Sequence, residues 1–385
     1  AQTGEIQESL KEKKKDPAII EALADIELLV WYLNHTTHLA TAQTLCHITG
    51  WTMAEDAERL QQAFHSADIH GAIRFASPPE FSRVPVHMRQ PWWARPFLFI
   101  LEMLGTTDST EIDSGKLLPI IVPLLFGYMF PDIGHGLMLV LLSALLYRRW
   151  PGGRFLIPCG LSAMLFGLVF GEVFGLESVL EPLWITPLEH PLEVLLAPLV
   201  FGAGLILLGL VFNGAQEVWR GAARNWLLRE AALPVFYAAV LTGIFLPRAL
   251  WVAAFAMPWF LLGQLYDASS GRLAQFWRDL GLLLQNIFEL ALHTLSFLRV
   301  GAFALAHAAL STAVLRMTDG IANEFLHIVL LVLGHLFIVS LEGLVVFVQT
   351  TRLVLFEFFT HFLRAEGRMF HPMSKPPRMQ NRKKR

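Results

Sequence analysis

The chain has 385 residues, 54% apolar and only 16% charged, with a mean hydropathy of +0.50; soluble chains carry about 25% charged residues, so lipid is the expected solvent for most of it. Thirty basic and 32 acidic residues leave a net charge of −2, which excludes a global basic field for nucleic acid. Cys46 and Cys159 have no CxxC spacing, which excludes a disulfide framework and a cysteine-built zinc site, and no G-x-x-x-x-G-K-[ST] run marks a nucleotide hydrolase. No cofactor and no metal is expected. No basic-then-apolar leader follows Ala1, so no signal peptide is expected; Ala1 in place of Met predicts a processed chain or a piece of a longer one.

Residues 1–95 are polar and punctuated. Glu8–Asp16 is a charge run suited to a solvated helix surface. Ala18–Ala42 places Ile19, Ile20, Leu23, Ile26, Leu29 and Val30 at helical spacing, which predicts an amphipathic helix. After Trp51, Thr52 and Glu55 form a capping-box pattern that predicts a second helix. Ser77-Pro78-Pro79 and Pro85 mark a linker. Trp92-Trp93, beside Arg89 and Arg95, suits an anchor at a membrane surface; the alternative is an ordinary aromatic core contact.

From Leu117 onward, apolar stretches run over residues 117–130, 133–148, 155–176, 195–213, 230–247, 249–266, 280–317 and 325–360. Spanning a bilayer takes about 20 helical residues. The first two are short and split by Pro131, Asp132 and Gly134; they read as two tightly joined spans, with a re-entrant hairpin as the alternative. The last two exceed a span and are expected to tilt or project from the membrane. The expectation is an all-α membrane protein of about eight spans over 96–372, with a short helical cytoplasmic segment before it (1–95) and a basic tail after it (373–385).

Loop charges set the expected orientation. One set of loops carries Arg148, Arg149, Arg154, Arg220, Arg224, Arg229, Arg272 and Arg278, and the tail adds Lys375 to Arg385. The alternate set carries Glu177, Glu181, Glu189, Glu193, Asp319 and Glu324, with Arg248 as the exception. An even count then places both termini in the cytoplasm.

An ionisable residue inside a span costs about 2.5–3.5 kcal/mol on insertion scales. The last two stretches hold most of them: Glu289, His293, Arg299 and His307 in one, His335, Glu342, Gln349, Arg352 and Glu357 in the other. His335, Glu342 and Gln349 are seven apart, which predicts one helix stripe. Gly301, Ala302, Ala304, Ala306, Ala308 and Ala309 follow Arg299 and make a flank of small residues that another helix could approach closely. His307 lies eight residues past Arg299, about 12 Å along the axis. Glu342 lies ten before Arg352 on the returning helix, about 15 Å. If the arginines share a depth, His307 and Glu342 share the outer half, and Glu289 and Glu357 the inner half. That describes two half-channels offset around a fixed cation. The blander alternatives are packed histidines, a structural ion pair of Glu342 with Arg299 or Arg352, and Glu289 and Glu357 snorkelling to the cytoplasm.

The stretch Leu298-Arg299-Val300-Gly301-Ala302-Phe303-Ala304-Leu305-Ala306-His307-Ala308-Ala309-Leu310-Ser311 resembles the signature of membrane subunit a of V-type and A-type rotary ATPases, also called subunit I. Phe126 to Gly136 (FGYMFPDIGHG) resembles that family's first membrane hairpin, and Phe170 to Gly175 its third span. Leu341-Glu342-Gly343, Thr351-Arg352-Leu353 and Glu357-Phe358-Phe359 resemble its last span, and Gly50-Trp51 with Glu55-Asp56-Ala57 and Pro91 to Phe97 the end of its cytoplasmic arm. The resemblance covers about residues 45–373. It departs at Pro131, where the family usually has Gly, and in a cytoplasmic arm far shorter than the family's.

The resemblance implies a non-catalytic stator subunit of an ion-translocating ATPase. Its implied partners are a ring of c (proteolipid) subunits, the peripheral stalk, central-stalk-associated subunits and membrane lipid, in a bacterial or archaeal plasma membrane. It implies that Arg299 is the essential arginine facing the ring carboxylates, Arg352 the second arginine, and His307 and Glu342 the lining of the outer half-channel. The alternatives are a free-standing secondary transporter or channel, and a membrane anchor without transport. No internal repeat of the kind common in transporters is evident.

Overall fold

The computed structural model describes residues 17–36, 40–42, 45–53, 56–67, 71–76, 84–86, 90–105, 107–108, 110–147, 151–176, 179–265, 272–365 and 367–370. The Glu8–Asp16 charge run, Glu55, Ser77–Pro79, Arg89, Arg148, Arg149, Glu177 and the basic tail lie outside the described residues. The chain forms two compact units, Ala1–His87 with Met369–Arg385, and Met88–Arg368.

In the first unit α1 spans Pro17–Thr36, ending earlier than the expected amphipathic helix. Residues 40–42 instead form strand β1, antiparallel to β2 (Leu45–His47). Helix α2 spans Ala57–Ser66, with Asp56 at its N-cap position. The expected cap at Thr52 is therefore corrected: its hydroxyl donates to the Met53 carbonyl at 3.4 Å, outside the helix.

The second unit is helical almost throughout. Short α3 (Leu98–Leu104) follows Trp92 and Trp93, which are 80% and 40% exposed, so the core-contact alternative does not hold. Helices α4 (Ser114–Met129) and α5 (Ile133–Leu146) form the hairpin. Both are capped by aspartates: Asp113 accepts from Gly115 N, and Asp132 from His135 N. Pro131 sits at the centre of the turn, where the Asp132 N–H reaches back to the Phe130 carbonyl at 3.1 Å. A proline suits that place because its own missing N–H is not called upon.

Helix α6 (Leu156–Phe170) packs on both members of the hairpin. Helices α7 (Pro191–Trp219), α8 (Ala223–Arg229), α9 (Ala232–Gly243) and α10 (Leu250–Leu265) follow. The expected stretch over 280–317 divides into α11 (Arg272–Ser296) and α12 (Leu298–Asp319). The division falls at Phe297, where Phe297 N–H donates to the Thr294 carbonyl and Val300 N–H to that of Phe297, both three residues back. The last stretch is α13 (Glu324–Phe337), a π-helical segment (Ile338–Glu342), α14 (Gly343–Arg352), a second π segment (Leu353–Phe358) and a 3₁₀ turn (Phe359–His361).

Four described helical runs are long and apolar enough to cross a membrane: Gly153–Phe170, Pro191–Trp219, Gln275–Asp319 and Glu324–His361. The fold is thus mostly helical. One continuous apolar core joins α4, α6, α7, α12 and the last helix through Phe97, Leu118, Phe126, Met129, Ile206, Phe297 and Phe358.

Candidate functional site

Two close approaches place α12. The Phe297 ring is fully buried and fills a notch at Gly202 of α7 that a Cβ would occupy. One turn on, Gly301 lies so near α7 that a Cβ would stand 2.5 Å from the Val194 carbonyl oxygen. Arg299 lies between these two contacts, which fix the position and rotation of its helix against α7.

Its guanidinium is half-buried. Nη1 donates to Gln349 Oε1 at 2.9 Å and Nη2 to Ser296 Oγ at 3.0 Å. The Ser296 hydroxyl passes the contact on, donating to Glu357 Oε1 at 2.6 Å. Glu357 is buried, so it does not snorkel, and its Oε2 has no hydrogen-bond partner. His293 Nδ1 lies 3.2 Å from His361 Nε2. A cleft of about 450 Å³ opens here, lined by Leu292, His293, Ser296, Arg352, Phe356 and Glu357. Arg352 is exposed at its edge, and Glu289 is exposed one turn before His293, outside the bonded cluster.

A second polar cluster lies further along α12. His307 is fully buried and its Nδ1 hydrogen-bonds Glu342 Oε2 at 2.9 Å. The expected shared depth of these two residues becomes a direct contact, and the alternative pairing of Glu342 with an arginine is not formed. His335 Nδ1 bonds His135 Nε2 at 2.9 Å. The His135 and His307 rings stand 5.3 Å apart, edge to face. Asp132 is buried; Oδ1 caps His135 N at 2.9 Å and Oδ2 accepts from Gly175 N at 3.0 Å. Gly175 supplies that N–H from a left-handed conformation, φ +71°.

His335, Glu342 and Gln349 all turn inward, but to different partners on α5 and α12. The first π segment lies between His335 and Glu342. It takes an extra residue per turn, so the seven-residue spacing does not keep a straight stripe across it. Between the two clusters α12 presents Val300 and Ala304, and α14 presents Val346, all fully buried and apolar. On the other side of α12, Ala302, Ala306, Ala309 and Ala313 are exposed in one row beyond Arg299.

Sequence reasoning brought out the ionisable residues of the last two stretches and missed Ser296, His361, Asp132 and His135 as site members. Ser296 precedes Arg299 by three, and His361 follows Glu357 by four, the spacings at which helical side chains meet; that signal was available. Asp132 and His135 lay within the quoted hairpin motif, without a predicted partner.

The sequence profile of the V-type ATPase 116kDa subunit family matches residues 3–150. The chain is 24% identical over 374 residues to the A-type ATP synthase subunit I of Pyrococcus horikoshii, covering 89% of this chain and 55% of that protein. It is 26% identical over 373 residues to the subunit I of Thermococcus kodakarensis, covering 87% and 55%. The chain is thus similar to this family over residues 3–150 and to archaeal A-type ATP synthase subunit I proteins over most of its length. The subunit I of Halobacterium salinarum, also similar, is 33% identical over 179 residues, 41% of this chain and 24% of its own length. The chain spans about half the length of the curated relatives it matches.

Proposed function

We propose that this chain is the membrane stator of a V/A-type rotary ATPase. In this reading it crosses the membrane about eight times, both termini are cytoplasmic, and its α11–α12 and α13–α14 helices face a ring of c subunits that each carry a membrane carboxylate. The cleft at His293, Ser296, Arg352 and Glu357, with Glu289 at its approach, is the inner half-channel. His307, Glu342 and His335 line the outer one. An ion, H⁺ or Na⁺, enters by one, rides the ring, and leaves by the other, and that travel is coupled to ATP hydrolysis or synthesis elsewhere in the complex. The stalk subunits hold this chain against rotation.

The observation that carries the reading is Arg299, a half-buried guanidinium that belongs to one of two polar clusters kept apart by buried apolar side chains. A guanidinium keeps its charge in low dielectric where an ammonium can lose a proton. It favours the ionised form of a carboxylate brought near it and repels a cation taking the direct route. Gln349 and Ser296 aim it without neutralising it.

The test is ATP-driven ion uptake in membranes holding the assembled complex. Arg299→Lys and Arg299→Ala are expected to reduce uptake to the uncoupled background while the subunits still co-purify. Normal uptake in either variant defeats the proposal.

A further inference from the structure

One ligand atom from each of Asp132, His135 and His307 lies within 4.8 Å of the others, and all three residues are buried. Asp132 Oδ2 and His135 Nδ1 are 3.4 Å apart. Two atoms each about 2.0–2.1 Å from a tetrahedral zinc ion stand about 3.4 Å apart. His135 Nδ1 and His307 Nε2 are buried with no hydrogen-bond partner. An orphaned buried nitrogen costs free energy that a bound ion would recover.

The far sides of both rings are also prepared. A ligating imidazole commonly donates its other N–H to a carboxylate or similar acceptor. His307 has Glu342 on Nδ1 at 2.9 Å, and His135 has His335 Nδ1 on Nε2 at 2.9 Å. The third ligand is fixed as well, since Asp132 is held by backbone N–H groups of His135 and Gly175. Two imidazoles and one carboxylate suit zinc-like divalent ions and not calcium or magnesium, which favour oxygen alone.

We propose that Asp132, His135 and His307 form a buried site for a divalent transition-metal ion of the zinc class, with Glu342 and His335 bonded to the far nitrogens of the two imidazoles; in the stator reading an ion there blocks the outer half-channel. An ion there would cross-link the α4–α5 hairpin to α12. The sequence does not show it, because His307 lies on a helix remote in sequence from the hairpin.

The experiment measures Zn²⁺ binding to the full chain purified in detergent, free of chelator, with and without competing chelator, and the thermal midpoint alongside. One saturable equivalent that raises the midpoint is expected. His307→Ala and Asp132→Asn are expected to abolish saturable binding, and Glu342→Gln to weaken it about 10–100-fold. His190→Ala, at an exposed histidine beside Glu193, is expected to change nothing. X-ray absorption at the zinc edge of the unsubstituted chain needs no variant to fold, and is expected to report two imidazoles and one carboxylate. Absence of saturable binding, loss of binding in His190→Ala, or an all-oxygen or sulfur shell overturns the site. None of these readouts uses the ring or transport, so the stator reading can fail while this site stands, or the reverse.

Discussion

Arg299 is oriented by neutral groups, Gln349 and Ser296, and no described carboxylate pairs with it directly. A charge aimed in this way retains its field for an incoming anion. His307 and Glu342 differ, since each is the other's bonded partner in a buried setting. Removing the imidazole strands a buried carboxylate, a loss of about 1–3 kcal/mol. His307→Ala should therefore lower unfolding stability in detergent by that amount, and His307→Gln, which can still donate, should recover part of it; equal stability of the alanine variant and the parent would contradict the contact. At this scale the sequence was readable wherever a charge sat in an apolar run, because insertion penalties single out Arg299, His307, His335 and Glu342. It was unreadable where the member was neutral or stood at a turn. Ser296 carries no comparable penalty, and Asp132 and His135 look like ordinary hairpin residues until α12 is laid beside them.

Helix α12 is small on both sides. Gly301, Ala304 and Ala308 are buried, while Ala302, Ala306, Ala309 and Ala313 are exposed. The buried side is set by backbone approach to α7, so bulk there has nowhere to go. Gly301→Leu should destabilise the chain by about 1–3 kcal/mol, whereas Ala302→Leu, one residue away and exposed, should stay within about 0.5 kcal/mol; comparing the two unfolding curves checks the assigned face. The apolar stretches anticipated where the helices lie, because long hydrophobic runs have few alternatives. They did not show the interruption at Phe297, whose residue type is as apolar as its neighbours, nor the π segments at Ile338–Glu342 and Leu353–Phe358. Those arise from tertiary packing, which leaves no mark in composition.

Away from the polar clusters, the second unit is closed by a charged clasp. Glu217 Oε1 accepts from Arg220 Nη1 at 3.0 Å and from Arg364 Nη2 at 2.7 Å, and Arg220 Nη2 approaches buried Glu111 at 3.4 Å. The clasp ties the end of α7 to the segment after the last helix and to the loop before α4. Glu217→Gln should cost about 1.5–3 kcal/mol, the range for hydrogen bonds to charged groups, and the gap between variant and parent should narrow at high salt; denaturant titrations at two ionic strengths measure both. The clasp was hidden because Arg220 read only as a loop charge. The eight apolar stretches all contain helix, yet among the described residues four runs pass on length and hydropathy, since turns and prolines shorten the others. The buried layer of Val300, Ala304 and Val346 has an electrical consequence. In the stator reading, the half-channels on either side conduct and hold little voltage, so the membrane potential falls mainly across that thin insulating layer. Each elementary charge carried past it would then take up nearly the full work of the potential, about 2.3 kcal/mol per 100 mV.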